Sequence, residues 1–214
     1  MGIGCMTKDD PYYISAVGAL GEGSSNSLSK DTDLALAIGT KLADFTTGSW
    51  ANFENPNFKL VSVNTARYDT TKHLATPVIS DAKVGLQKIS EALGDWKAPD
   101  DWYKRAIKEK NEWDAYVEKQ SGPTNQEEPS YAHAVGAVYR NSDPSDIVVT
   151  AAGGLVGEVV QVWKPKQLNT FETEWGFSCM GYEISGALGI KMAKPDQDVV
   201  VFVGDGSYLL NNTD

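Results

Sequence analysis

A chain of 214 residues, 41% of them hydrophobic, is long enough to bury one large core or two modest ones. Its net charge of −10, with no Lys/Arg block, excludes nucleic acid as an expected partner and reads as solubility rather than mechanism. The two cysteines, Cys5 and Cys179, stand far apart and outside any C-x-x-C spacing, which excludes a zinc ribbon or disulfide framework and predicts a reducing, cytoplasmic setting.

Residues 1–30 read as loop. The glycines of GALGEGSSNS (Gly18–Ser27) follow no strand and lack dinucleotide-loop spacing, and the opening MGIGCMTKDD has neither the positive nor the apolar region of an export signal. DLALAIG (Asp33–Gly39), FKLVSVN (Phe58–Asn64) and Pro77–Ser80 predict three strands of one sheet. FTTGSW (Phe45–Trp50) fits either a recognition loop or ordinary packing, and His73 reads as a solvated loop residue without a role. After the third strand Asp81 is placed to cap a helix that has Ala82, Leu86, Ile89 and Leu93 on one face and Gly94 at its end. Together these elements predict a Rossmann-like α/β unit.

From Trp96 the chain is dense in charge. A connecting helix is expected, capped by Asp100 or Asp101, with Trp102, Ala106, Trp113 and Val117 as its buried contacts, and a linker follows from Gly122 to Pro129. The expected division is a middle domain at 1–95, a connector at 96–129 and a second α/β domain at 130–214. Ser130 opens a helix, YAHAVGAVYR, in which His133 reads as structural, and strand Ile147–Thr150 comes next. AAGGLVGEVVQVW then supplies a loop of Gly153, Gly154 and Gly157 before a helix, an arrangement that aims backbone N–H groups at an anion. The most apolar stretch, residues 147–163, is interrupted by Glu158 and several glycines and is no membrane span.

A further helix is predicted over Phe177–Lys194, with Met180, Ile184, Leu188 and Met192 as its apolar face. Val199–Val203 reads as a buried strand that delivers Asp205, between Gly204 and Gly206, to its carboxyl end. Asp-Gly between apolar runs is also a hairpin signal, but the preceding helix favours a parallel sheet. Ligands of open α/β sheets sit beyond the carboxyl ends of strands, and an aspartate between two glycines suits a phosphate-bound magnesium ion. There is no G-x-S-x-G elbow, P-loop or H-E-x-x-H motif.

The order Gly176, Met180-Gly181, Ala187-Leu188-Gly189, Lys194-Pro195 and VVVFVGDGS, with Met180 and Asp205 separated by 25 positions (205 − 180), resembles the diphosphate-binding domain of thiamine diphosphate (ThDP) enzymes. The likeness runs from about Gly21 to the end of the chain. Through LADFTTGSW, TAAGGLVGE and WGFSCMGYEISGALG it extends to a subgroup that hydrolyses a cyclic 1,2-diketone in myo-inositol breakdown, although Val156 stands where that subgroup's pattern has proline.

The resemblance implies ThDP and Mg2+ as cofactors, with Asp205 as a magnesium ligand and Gly204, Gly206 and Ser207 against the diphosphate. Gly153, Gly154 and Leu155 would cradle the same group. Met180 would hold the cofactor bent, its backbone and that of Ser178 facing the aminopyrimidine. It also implies carbon–carbon cleavage that releases an open-chain acid, a homodimeric or homotetrameric parent, and a middle domain that binds flavin, ADP or nothing.

Two family elements have no counterpart here: an N-terminal domain whose glutamate activates the cofactor, and an asparagine metal ligand beyond the eight residues (214 − 206) that follow Gly206. Asn211 and Asn212 are too near Asp205 and are expected on the helix that starts there. The expectation is therefore a fragment without a catalytic residue, inactive alone. Two alternatives stay open: another ThDP enzyme, acetolactate-synthase-like or decarboxylating, or a stand-alone adenine-nucleotide-binding module.

Overall fold

The computed structural model describes residues 2–213. They form two compact units, Val17–Asn111, and Met1–Ala16 with Glu112–Asp214. The architecture is α/β throughout, and among the described residues no helix is long and apolar enough to cross a membrane.

The Val17–Asn111 unit is built on a parallel sheet of β1 (Leu34–Ile38), β2 (Lys59–Asn64) and β3 (Thr76–Ile79) in that spatial order. All three strands lie where the apolar runs predict them. Ala37, Leu42 and Leu60 form a core that Ala35, Phe58 and Ala75 extend. Short helices α2 (Asp44–Thr47) and α3 (Arg67–Thr70) follow β1 and β2.

Helix α4 (Ala82–Leu93) begins as expected, with Asp81 Oδ1 accepting from the N–H groups of Lys83 and Val84 at 2.9 and 3.1 Å. Its contact with the sheet runs through Gly85, where a Cβ would come within 2.7 Å of Val63 Cγ1. Leu86 and Leu93 are exposed, so only Ala82 and Ile89 of the predicted face are partly covered.

The expectation of loop over residues 1–30 is corrected by α1 (Gly23–Asp31). Four serines in this helix favour turns by sequence. Ser25 and Ser29 instead return their hydroxyls to the carbonyls of Glu22 and Asn26, while Ser24, Ser25, Leu28 and Ser29 are buried. Helix α5 (Asp100–Ser121) starts in this unit, where Arg105 bridges Asp31 at 2.8 Å and Glu109 at 2.6 Å.

In the other unit Ala106 has no part, whereas Val117 near the end of α5 is buried; Ala106 is buried in the first. The second sheet has the order β5 (Phe171–Thr173), β4 (Ile147–Thr150), β6 (Val199–Val201), again all parallel. All four residues of β4 are buried. Ile147 and Val149 pack with Ala187, Tyr182, Ile190, Val199 and Val201.

Helix α6 (Tyr131–Asn141) opens with a capping box in which the Ser130 N–H donates to His133 Nδ1 at 3.1 Å, so His133 is structural as expected. Helix α7 (Gly154–Val162) follows β4 and packs on α6, and Trp163 at its end meets the rings of Tyr139 and Phe202.

Three expectations change here. Strand β5 was not anticipated: it is three residues long and carries an exposed Glu172. Helix α8 (Tyr182–Ala193) starts five residues later than predicted (182 − 177) and turns Tyr182, Glu183, Ala187 and Ile190 inward, leaving Met180, Leu188 and Met192 exposed. A strict four-residue repeat advances about 400° per step, so the stripe drifts off one face by roughly 40° each time. Strand β6 is half-buried rather than buried, because it has one neighbour. Gly204 caps α9 (Asp205–Leu210), which excludes the hairpin; Asn211 and Asn212 lie just past that helix rather than on it.

Candidate functional site

The carboxyl ends of β4 and β6 are neighbours in one parallel ladder, with Val149 beside Val201 and the Phe202 N–H donating to the Val149 carbonyl at 2.9 Å. Two glycine-bearing loops leave this edge side by side. The first, 151–154, turns through Gly153 at φ +81° into α7. The N-cap of α7 is Gly153, which has no side chain to cap the helix, so the N–H groups of its first turn are left to other acceptors. Around Gly153, Gly154 and Gly204 no atom of the described residues, apart from the adjoining backbone and chain neighbours, lies within 4 Å of where a Cβ would stand. Added side chains would fill open space there.

The second loop, 202–204, leads into α9. Asp205 is exposed, and its Oδ1 accepts from the Gly206 N–H at 2.8 Å. A Cβ on Gly206 would touch Met180 Cε at 3.4 Å, which puts the half-exposed Met180 side chain next to the Gly-Asp-Gly turn. Leu155 is partly buried in the first turn of α7. Ser207 is buried, and its hydroxyl is engaged inward rather than toward the loops' open side.

Between β5 and α8 the chain folds around Glu174. Its Oε1 accepts from Phe177 N–H at 2.9 Å and its Oε2 from Cys179 N–H at 2.8 Å. The Cys179 amide, aided by those of Phe177 and Gly176 and opposed by burial, holds this carboxyl below the usual glutamate range. The exposed Cys179 thiol is pushed up, by desolvation and then by the Glu174 charge. Ser178 adopts a left-handed φ of +52°, and its hydroxyl donates to the Ala151 carbonyl at 3.0 Å, pinning this loop to the end of β4. Gly181 needs its missing Cβ twice over: φ is +97°, and a Cβ would sit 2.6 Å from that of Asn211.

The sequence gives no hint of the residue that ties these pieces together. Glu183 is fully buried and accepts from Ala152 N–H, Gly181 N–H and Ser207 Oγ. An acid in the first turn of a helix ordinarily reads as a solvated partner of the helix dipole.

Two family models match: thiamine pyrophosphate enzyme, central domain, over residues 1–89, and thiamine pyrophosphate enzyme, C-terminal TPP binding domain, over residues 151–214. The chain belongs to the thiamine pyrophosphate enzyme family. Relatives named 3D-(3,5/4)-trihydroxycyclohexane-1,2-dione hydrolase include one from Geobacillus thermodenitrificans, 33% identical over 98% of this chain and 36% of its own length. Another, from Clostridium tetani, is 36% identical over 92% of this chain and 34% of its own length. One from Lacticaseibacillus casei is 32% identical, with 98% and 36% covered. The chain thus spans about a third of the length of these curated relatives.

The chain has a donor set that fits a diphosphate: backbone amides at the start of α7 behind the side-chain-free N-cap Gly153, with open room at Gly153, Gly154 and Gly204. Among the described residues no group of three or more His, Cys, Asp or Glu could hold a metal ion. A cation beside Asp205 would therefore complete its shell with oxygens other than clustered protein carboxylates, as phosphate-bound magnesium does.

Proposed function

We propose that this chain supplies the diphosphate- and magnesium-holding part of a ThDP-dependent hydrolase that cleaves a carbon–carbon bond in a cyclic 1,2-diketone of inositol breakdown, trihydroxycyclohexane-dione, to give 5-deoxy-glucuronate. The observation that carries this reading is the pair of loops, Gly153–Leu155 and Gly204–Ser207, leaving the carboxyl ends of the paired strands β4 and β6. The relatives' names supply the substrate.

In this reading residues 1–95 are the middle domain, 96–129 the connector and 130–214 the diphosphate-binding domain. The amides of Gly153, Gly154 and Leu155 bind the diphosphate, and Gly204, Gly206 and Ser207 border it through their backbone. Asp205 holds Mg2+. Met180 props the cofactor against the Gly206 turn, while the Ser178 backbone faces its pyrimidine. Bound ThDP supplies the carbon nucleophile that such a cleavage needs. No residue of this chain is assigned to activate it, and the 214 residues alone are inactive. The complete enzyme is a cytoplasmic homodimer or homotetramer, a setting that two exposed, unpaired cysteines suit.

The complete protein, given ThDP and Mg2+, is expected to convert trihydroxycyclohexane-dione to an open-chain acid, followed by chromatography. Acetolactate formation or decarboxylation of a 2-oxo acid, with no ring opening, would overturn the substrate assignment.

A further inference from the structure

Glu183 stands in the first turn of α8 with 0% of its surface exposed. A carboxyl group withdrawn from water persists only where hydrogen bonds replace the solvent. Here Oε1 accepts from Ala152 N–H at 3.1 Å, while Oε2 accepts from Gly181 N–H at 3.1 Å and from Ser207 Oγ at 2.7 Å. The Gly181 N–H also reaches Ser207 Oγ at 2.7 Å.

These partners belong to separate segments. Ala152 immediately precedes the Gly153 turn after β4, and Ser207 lies in the first turn of α9, which follows β6. The β4–β6 ladder ends at Val149 and Val201, with one further bond from Phe202, so it stops short of both Ala152 and Ser207. An acid serving only to satisfy the start of α8 would need Gly181 alone. The reach to Ala152 and to Ser207 is additional, and it joins the two loops through one side chain.

We propose that Glu183 is a positioning residue that couples the 151–155 loop to the 204–207 turn and fixes their separation before any ligand arrives. Its value for seating a diphosphate rests on the function proposed above; the coupling itself does not. Glu183 acts through the Ala152 backbone and the Ser207 hydroxyl and touches no cofactor.

Amide hydrogen exchange of the full 214-residue chain without ligand tests this, so that failure of the cofactor reading cannot move the result. In Glu183→Gln, which keeps the shape but cannot accept from both donors at its amide nitrogen, exchange rises at least about tenfold in both 151–157 and 204–210. Exchange over 59–64 stays at the wild-type rate. Ser207→Ala accelerates 204–210 and also 151–157, although Ser207 makes no bond there, and Ser207→Thr, which retains the hydroxyl, restores protection in both. If Glu183→Gln does not fold, the Ser207 pair decides alone. Acceleration confined to one loop or to residues 181–184, or no acceleration, would overturn the coupling.

Discussion

Two sheets of the same size and the same all-parallel pairing carry different kinds of loop at their carboxyl ends. β1 is followed by Gly39, which is open like Gly153, with φ +63° and nothing among the described residues beyond its chain neighbours within 4 Å of a Cβ. The next helix, however, is the four-residue α2, and the loop around it is held by aromatic contacts: Trp50 to His73 at 4.3 Å, Trp50 to Phe53 at 5.7 Å, Phe53 to Phe58 at 4.8 Å. His73 stays exposed, as a solvated loop histidine should, while its ring also meets Trp50. At β4 the open glycine leads directly into nine-residue α7, and carboxyl groups organise the surroundings. The strand pairing is shared, so what distinguishes a candidate site is the chemistry placed at the strand ends.

The sharpest way to break the comparison is through the strands themselves. Val149→Ala, at 0% exposure in β4, is expected to destabilise its unit by about 2 kcal/mol, because buried methyls are lost without full collapse. Leu36→Ala in β1, already 40% exposed, should cost less than about 1 kcal/mol. Denaturant titration followed by tryptophan fluorescence reads both. Equal losses would show that the two sheets are covered to the same degree.

A smaller effect sharpens the contrast between carboxyl-held and aromatic-held loops. Glu174 is depressed in the folded chain, so the stability it contributes is complete above the ordinary glutamate range near 4.5 and is lost as pH falls through its lower, folded value. Amide exchange over 174–181 is therefore expected to accelerate, relative to its intrinsic rate, as pH falls below about 4.5, and Glu174→Gln is expected to remove that dependence. The aromatic-held 42–53 loop should show the smaller change. Acid sensitivity that survives Glu174→Gln would assign it to another group.

Local chemistry explains which elements could be read in advance. Strands β1 to β4 are apolar runs bounded by turn residues, and Asp81 and Ser130 are short-range caps whose partners lie within three residues, so each is written in a few consecutive letters. The inner face of α8 escapes the apolar pattern because Met180, Ile184, Leu188 and Met192 repeat every four residues, whereas the chain buries Glu183 and Ala187 and packs the partly buried Ile190 beside them at helical spacing. Glu183 was invisible for a different reason. Its partners Ala152 and Ser207 are distant in sequence, and one acid among 29 Asp and Glu carries no local mark of burial. The adjacency of the Gly153 and Gly204 loops was readable only as a consequence of parallel pairing, which the helix before β6 favoured.

The measurement that bears most directly on the central claim is calorimetric titration of the chain with ThDP, with and without Mg2+, in the wild type and in Asp205→Ala. The account predicts weak binding that requires Mg2+ and disappears in Asp205→Ala, with the melting temperature of the free protein nearly unchanged because the side chain is exposed. Binding indifferent to both magnesium and Asp205, or no ThDP binding alongside clear binding of an adenine nucleotide, would contradict it.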